Sequence, residues 1–198
     1  MNILALDASG ALCSVAVWSN KQVYLEKKTS PRTHSEYLLP MVNACLTAAN
    51  LTLADIHLCV YTQGPGSFTG LRLVTAMVQG LAYGKKIKLM ALSSMQAIAQ
   101  WAYQQTKETE VVVCNDARME EVYYGHYKLE QSTMLSLIEE QCIKPASLLQ
   151  QLINLTPKPL MVGNGPAHYP ELMQYPKRLM SEPGALAVVL IELALALG

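Results

Sequence analysis

Short apolar runs separated by turn residues set the pattern of the first half of the chain. Ile3-Leu4-Ala5-Leu6 ends in Asp7-Ala8-Ser9-Gly10. Two β-rich runs follow, Cys13 to Ser19 and Gln22 to Lys28, split by Ser19-Asn20-Lys21. Such runs between turn clusters predict three strands joined by tight turns. Thr33 and Glu36 have capping-box spacing, which predicts a helix from there to about Asn50. Pro40 lies inside that helix and is expected to kink or restart it. Ile56 to Thr62 reads as a strand, Gly64-Pro65-Gly66 as a turn and Ser67 to Gly84 as a helix. Ile87 to Leu92 is the next strand and Ser93 to Gln105 the next helix. Alternating strands and helices predict an α/β layout with a partly parallel sheet.

The polar stretch Gln104 to Glu110 is the candidate boundary between a lobe at 1–105 and a second at 106–198. Val111 to Cys114 opens a new strand series, with a Tyr-rich strand at Glu121 to Leu129 and a weaker one at Met134 to Ile138. Pro145 to Asn154 predicts a short helix, and Pro159 to Val162 a strand before Gly163-Asn164-Gly165. The second lobe thus reads as a reduced copy of the first, although no sequence repeat is visible. Ala185 to Leu197 is apolar for 13 residues with only Glu192 inside it. A membrane span takes about 20, so this segment reads as a short helix expected to pack back on the first lobe.

Composition narrows the function classes. The chain has 198 residues, 51% apolar and 15% charged, against about 25% charged in typical soluble domains. That excludes a disordered chain. Lys plus Arg is 15 and Asp plus Glu is 15, a formal net charge of zero. Zero charge argues against an autonomous nucleic-acid binder and gives little protection from self-association. Cys13, Cys59 and Cys114 lie in apolar runs, and none of the five cysteines forms a C-x-x-C pair. They read as reduced, buried thiols of a cytoplasmic protein. Met1-Asn2 leads straight into a strand pattern, with no leader. No two of His34, His57, His126 and His168 lie close enough in sequence for a zinc-type pair, and no metal or cofactor is expected.

Three places carry candidate chemistry. Asp7, with Ser9 in the turn after it, has the form of a carboxylate facing a phosphate or metal ion; an Asp capping its own turn has the same form. Gly64-Pro65-Gly66-Ser67-Phe68-Thr69-Gly70-Leu71-Arg72 joins a strand to a helix, where backbone N–H groups attract anions and Ser67 is a good N-cap. It lacks the Gly-Lys-Ser/Thr ending of a P-loop and the Gly-x-Ser-x-Gly of a nucleophile elbow. A tight strand-to-helix turn is the alternative. Arg118, after Asp116, is placed to meet a phosphate or to pair with Asp116 or Glu120. The helix from Ser67 to Gly84 carries Arg72 as its one charge and is apolar on two sides. Ala76, Gly80 and Gly84 recur at four-residue steps, which lets another helix approach closely. With Leu38, Leu39, Val42 and Cys45 of the preceding helix, Leu73, Ala76, Met77 and Gly80 form the candidate partner face, which wants a second helix from this chain or from a partner; a helix buried wholly in the core is the alternative.

These segments, taken in order, resemble a known family. Ile3 to Ser9, Pro31-Arg32-Thr33-His34-Ser35-Glu36 with Leu38-Leu39-Pro40, Gly64 to Arg72, and Asp116-Ala117-Arg118 with Glu121-Val122-Tyr123 look like the bacterial TsaB (YeaZ) family over residues 1–127. The resemblance implies duplicated actin/hexokinase/Hsp70-like (ribonuclease H-like) lobes, each a mixed sheet with helices. It implies a non-catalytic scaffold in the complex that transfers threonylcarbamoyl from threonylcarbamoyl-AMP to the N6 of the adenosine beside the tRNA anticodon. The implied partners are a TsaD homologue, the ATPase TsaE or a second copy of the chain, with tRNA met only through the complex. Asp7, Ser9, Gly64, Gly66, Ser67 and Arg118 would be vestigial nucleotide contacts, and no residue is catalytic. Two departures stand out. Glu120 occupies a place where the family often has Gly, and a Pro-x-Tyr-Leu-Arg-like tail is not found in the sequence to Gly198. The alternative from another class is a stand-alone nucleotide hydrolase or kinase of the same fold, with Asp116 as a second acidic group, or a peptidase.

Overall fold

The computed structural model describes residues 1–29, 34–179 and 183–198, and no side-chain detail at 34 and 35. The predicted capping box rests on Thr33 and lies outside the described residues. Two compact units form, Met1–Ala97 with Gly184–Gly198, and Ile98–Pro183.

In the first unit the chain runs β1 (Ile3–Asp7), β2 (Leu12–Ser19), β3 (Gln22–Thr29), α1 (His34–Ala48), β4 (Leu58–Gly64), α2 (Phe68–Lys85) and β5 (Lys88–Ser93). The helix α3 (Ser94–Thr106) then carries the chain into the second unit. There it runs β6 (Glu110–Arg118), β7 (Glu121–Glu130), β8 (Thr133–Ser136), β9 (Gln141–Ile143), α4 (Pro145–Ile153), β10 (Leu160–Val162), α5 (Gly165–His168) and β11 (Arg178–Leu179). The last helix, α6 (Leu186–Leu197), belongs to the first unit and packs against β1, β2 and β4. The polar stretch at 104–110 holds the end of α3 and the start of β6. No helix among the described residues is long and apolar enough to cross a membrane.

The two sheets share one plan. The first has the order β3-β2-β1-β4-β5, the second β8-β7-β6-β10-β11 with β9 paired to β7. In each, the first three strands are antiparallel neighbours and the last two join in parallel. The duplication expected from the order of elements is therefore present, while the helix after the fourth strand shrinks from α2 to the four-residue α5.

β1 is buried along its whole length, as a central strand covered on both faces must be. Its alternate residues serve two layers. Leu4 and Leu6 join Val15, Val17 and Cys59 under α1 and α2, whereas Ser14, on the opposite face, meets α6. α1 continues through Pro40 as one helix rather than restarting there. Pro40 and Glu36 are both exposed, so water can satisfy the carbonyl that the proline leaves without a donor.

The α6 N-terminus has no side-chain cap of its own. Instead the Ala187 amide donates to Ser14 Oγ at 3.1 Å, a buried bond across 173 positions. Such a first-turn amide has no acceptor within its helix. Ser14→Ala should lower stability by about 1–3 kcal/mol, read as an earlier urea midpoint with an unchanged slope.

Candidate functional site

Asp7 ends β1 and is 2% exposed. Its Oδ1 accepts from the Ser9 amide at 3.0 Å, Ser9 Oγ at 2.7 Å and Thr62 Oγ1 at 2.9 Å. One carboxylate oxygen thus ties the end of β1 to its own turn and to the parallel neighbour β4. That is the turn-capping reading of Asp7, extended to a second strand. Thr62 escaped the sequence reading. The available signal was its place two residues before Gly64, at the end of the predicted strand Ile56 to Thr62.

The Gly-Pro-Gly loop presses directly onto the same turn. The Ser67 amide donates to the Ser9 carbonyl at 2.7 Å. A Cβ on Gly66 would lie 2.4 Å from that carbonyl oxygen, and one on Gly70 1.9 Å from the Ala8 carbonyl oxygen. Both distances forbid a side chain without moving backbone. Gly64 has φ +111°, a conformation that favours glycine, and a Cβ there would meet Leu71 at 3.0 Å. Ser67 caps α2, its Oγ accepting from the Gly70 amide at 3.3 Å, as its position predicted. An anion at a helix N-terminus needs free amides and space. Here the Ser67 amide is committed to Ser9, and the two loops are in contact.

The second unit repeats the device with different residues. Gly163 has φ +117°, and its Cβ would fall 2.3 Å from the Cys114 carbonyl oxygen. Asn164 Oδ1 accepts from the Asp116 amide at 2.8 Å, and the Asn164 amide donates to Asn115 Oδ1 at 3.2 Å. Tyr169 donates to Asp116 Oδ1 at 2.8 Å. Partial burial alone would raise the Asp116 carboxyl. The Arg118 amide and the Tyr169 hydroxyl, helped by His168 and Arg118 charge, outweigh it and hold the group below the usual range. The same bond pushes Tyr169 up to about 12. Arg118 pairs with Asp116 at 3.3 Å and its side chain is 83% exposed. It belongs to the second unit's own hairpin, where Arg118, Met119 and Glu120 all have positive φ, at 66°, 51° and 61°. Glu120 therefore holds, as a non-glycine residue, the left-handed conformation that a glycine at this position would adopt freely. Tyr169, 53 positions from Asp116, left no local signal.

The helical face needs a correction. Leu38, Val42 and Cys45 are 0–1% exposed and belong to the first unit's core. Heptad-like counting places them on one side of α1, but that side is the one the sheet covers. The open side of α1 carries Leu39, Pro40, Asn43, Ala44 and Thr47. On α2 the buried stripe is Gly70, Val74, Val78 and Ala82. Leu73 and Met77 are half-buried against the core, and Ala76 and Gly80 are exposed. A Cβ added to Gly80 or Gly84 would meet nothing within 4 Å. At the head of that open edge the Arg72 guanidinium stacks on Phe68, 3.7 Å from the ring centroid. Among the described residues, no group of three or more His, Cys, Asp or Glu side chains is placed to hold a metal ion. Burial, with the Asp7 charge added, pushes the Cys13 thiol up to about 12. Burial likewise pushes Cys59 and Cys114 up to about 12 and Cys45 up to about 11.

Two lobes of this strand order, with hairpin and glycine loop meeting at the head of a parallel pair, define the actin/hexokinase-like class. An inorganic polyphosphate/ATP-glucomannokinase from Arthrobacter shares that fold, with a TM-score of 0.51 at 12% identity over 98% of this chain and 99% of that one. YeaZ from Pseudomonas aeruginosa is far nearer, with a TM-score of 0.86 at 31% identity over 100% of this chain and 93% of that chain. The family model described as TsaD: tRNA N6-adenosine threonylcarbamoyltransferase matches residues 26–181. The tRNA threonylcarbamoyladenosine biosynthesis protein TsaB of Escherichia coli K12 is 35% identical over 173 residues, 87% of this chain and 75% of that protein. The chain belongs to the TsaB family.

Two predictions follow from the packing of the glycines and thiols. Gly70→Ala should destabilise the fold by about 2–3 kcal/mol, because the Ala8 carbonyl must move. Gly80→Ala should be neutral or stabilise by up to about 1 kcal/mol, since an open helical site gains propensity. Equal effects in thermal melts would contradict the geometry. Of the five thiols Cys142 alone is exposed. A thiol reagent near neutral pH should therefore label one cysteine in the folded chain and five after denaturation, with peptide mapping to locate the first.

Proposed function

We propose that this chain serves tRNA threonylcarbamoyladenosine biosynthesis as a non-catalytic scaffold that holds a TsaD-family transferase in its active arrangement. The reading is supported by the family membership and, above all, by one observation: the open edge of α2 is built of Ala76 and Gly80, both exposed, and a Cβ added at Gly80 would meet nothing within 4 Å. Small residues at four-residue spacing let a second helix approach to backbone contact. Leu73 and Met77 flank that edge, and Leu39 adds an exposed apolar side chain on α1, 46% accessible. The partner face is therefore Leu39, Ala44, Leu73, Ala76, Met77 and Gly80. The ATPase TsaE and the tRNA join through the assembled complex, and a second copy of the chain can take the same face when the transferase is absent.

The alternative of a stand-alone nucleotide hydrolase, kinase or peptidase has less support. A phosphate-handling carboxylate must face ligand, whereas Asp7 is buried and Oδ1 is held by three donors of its own chain. On this reading Asp7, Ser9, Gly64, Gly66 and Ser67 are structural remnants of a nucleotide site. Arg118 is a hairpin ion pair.

Light scattering on size-exclusion fractions tests both readings. Wild type should form a heterodimer with its TsaD counterpart and hydrolyse no ATP alone. Gly80→Arg should weaken the heterodimer by about fivefold to a hundredfold, since a side chain forced into a close-packed contact costs about 1–3 kcal/mol. A folded Gly80→Arg variant that still binds at full strength, or ATP turnover by the isolated chain, would overturn the proposal.

A further inference from the structure

The zero net charge conceals two opposite halves. Residues 1–97 and 184–198 hold eight Lys and Arg against five Asp and Glu, an excess of three. Residues 98–183 hold seven against ten, a deficit of three. The first unit alone therefore carries the positive excess that contact with nucleic acid favours, which the neutral whole does not.

The positive excess is placed at one end of its sheet. Val23, Trp18, Ile3, Leu58 and Lys88 form one cross-strand row from β3 to β5. Four strand spacings of about 4.8 Å make this row about 19 Å long. Just beyond it, Lys21 occupies the β2–β3 turn with φ 63°. At the opposite corner Lys86 ends α2 with φ 55°, its amide bonded to the Ala82 carbonyl. Ile87, 9% exposed, bonds to the same carbonyl at 3.1 Å and pins the turn to the core. Lys85, Lys86 and Lys88 flank that anchor, all exposed. None of these four lysines forms an ion pair among the described residues. Of the turns meeting this edge, the described residues contribute one acid, Asp55. Its Oδ2 is taken by the Thr52 amide at 2.8 Å and the Thr52 hydroxyl at 2.7 Å. His57 lies between them and accepts from the Asn2 amide at 3.0 Å.

We infer that this rim, Lys21 at one corner and Lys85, Lys86 and Lys88 at the other, is a contact for the phosphate backbone of the tRNA when the chain is in its complex. The inference rests on the proposed scaffold role and adds to it a direct part in holding substrate. Phosphate groups reward fixed, unpaired cations spread along a line, without reading sequence. The rim also lies at the N-terminal ends of β1, β4 and β5, the opposite end of the sheet from the glycine loop. It therefore leaves the nucleotide-type loop out of the contact.

The test uses the complex of this chain with its TsaD counterpart. Binding of an unmodified tRNA transcript is measured by fluorescence anisotropy across a KCl series. Lys86→Glu/Lys88→Glu should weaken binding at least tenfold at low salt and lower the slope of log affinity against log salt by about one per lysine. Lys86→Gln/Lys88→Gln should show a smaller loss in the same direction. Heterodimer formation should not change. Lys128→Glu/Lys144→Glu, in the second unit, should leave tRNA affinity within twofold of wild type. Unchanged affinity and slope in the rim variants overturn the inference and leave the scaffold reading standing. Equal losses in both variant pairs also overturn it, since they point to bulk charge. Lysine-dependent binding to phosphatidylglycerol vesicles without binding to tRNA would assign the rim to a membrane surface instead. If wild type forms no heterodimer, the scaffold reading fails, and the inference with it.

Discussion

The arrangement depends on one buried carboxylate. Asp7 Oδ1 gathers the Ser9 amide, the Ser9 hydroxyl and the Thr62 hydroxyl at the point where β1 ends. A buried carboxylate needs its hydrogen bonds satisfied, and removing any donor would expose the cost of desolvating it. The turn at Ser9 is thereby fixed, and its carbonyl is fixed with it. That carbonyl then receives the Ser67 amide at 2.7 Å, which sets where α2 begins. The direction of α2, and hence the face it offers, follows from Asp7.

The same contacts leave little of a nucleotide loop open to a ligand. A phosphate loop works by keeping amides and space free for a ligand. In this chain the glycines at 66 and 70 use their missing side chains to approach backbone, at distances no Cβ would tolerate. The loop is spent on internal packing. What remains open lies elsewhere: the small-residue edge of α2 and the exposed side of α1. The second unit shows the parallel outcome, with Asn164, Asp116 and Tyr169 closing the corresponding corner by hydrogen bonds.

Much of this was legible in the sequence. The strand and helix order, the Ser67 cap and the reduced repetition in the second half all came from local patterns, because turns, caps and apolar runs are local signals. Three things were not. Leu38, Val42 and Cys45 look like partner residues on a helical wheel, but which side of α1 meets the sheet is decided by β1 and β2, distant in sequence. The strands Gln141–Ile143 and Arg178–Leu179 are too short to carry a period of their own. Their pairing is imposed by β7 and β10. The polar partners Thr62 and Tyr169 lie 55 and 53 positions from the carboxylates they serve, beyond any window of local reading. The charge division between units is present in the sequence, yet it becomes visible only once the units are known.

Hydrogen–deuterium exchange of the chain with and without its TsaD counterpart would show which face a partner covers. Binding should protect the open sides of α1 and α2, centred on residues 39–48 and 72–84, with the segments at 7–10 and 64–67 unchanged. Protection confined to the glycine loop and the Asp7 turn, with the helices unaffected, would contradict that expectation and return this corner to the role of a working nucleotide site.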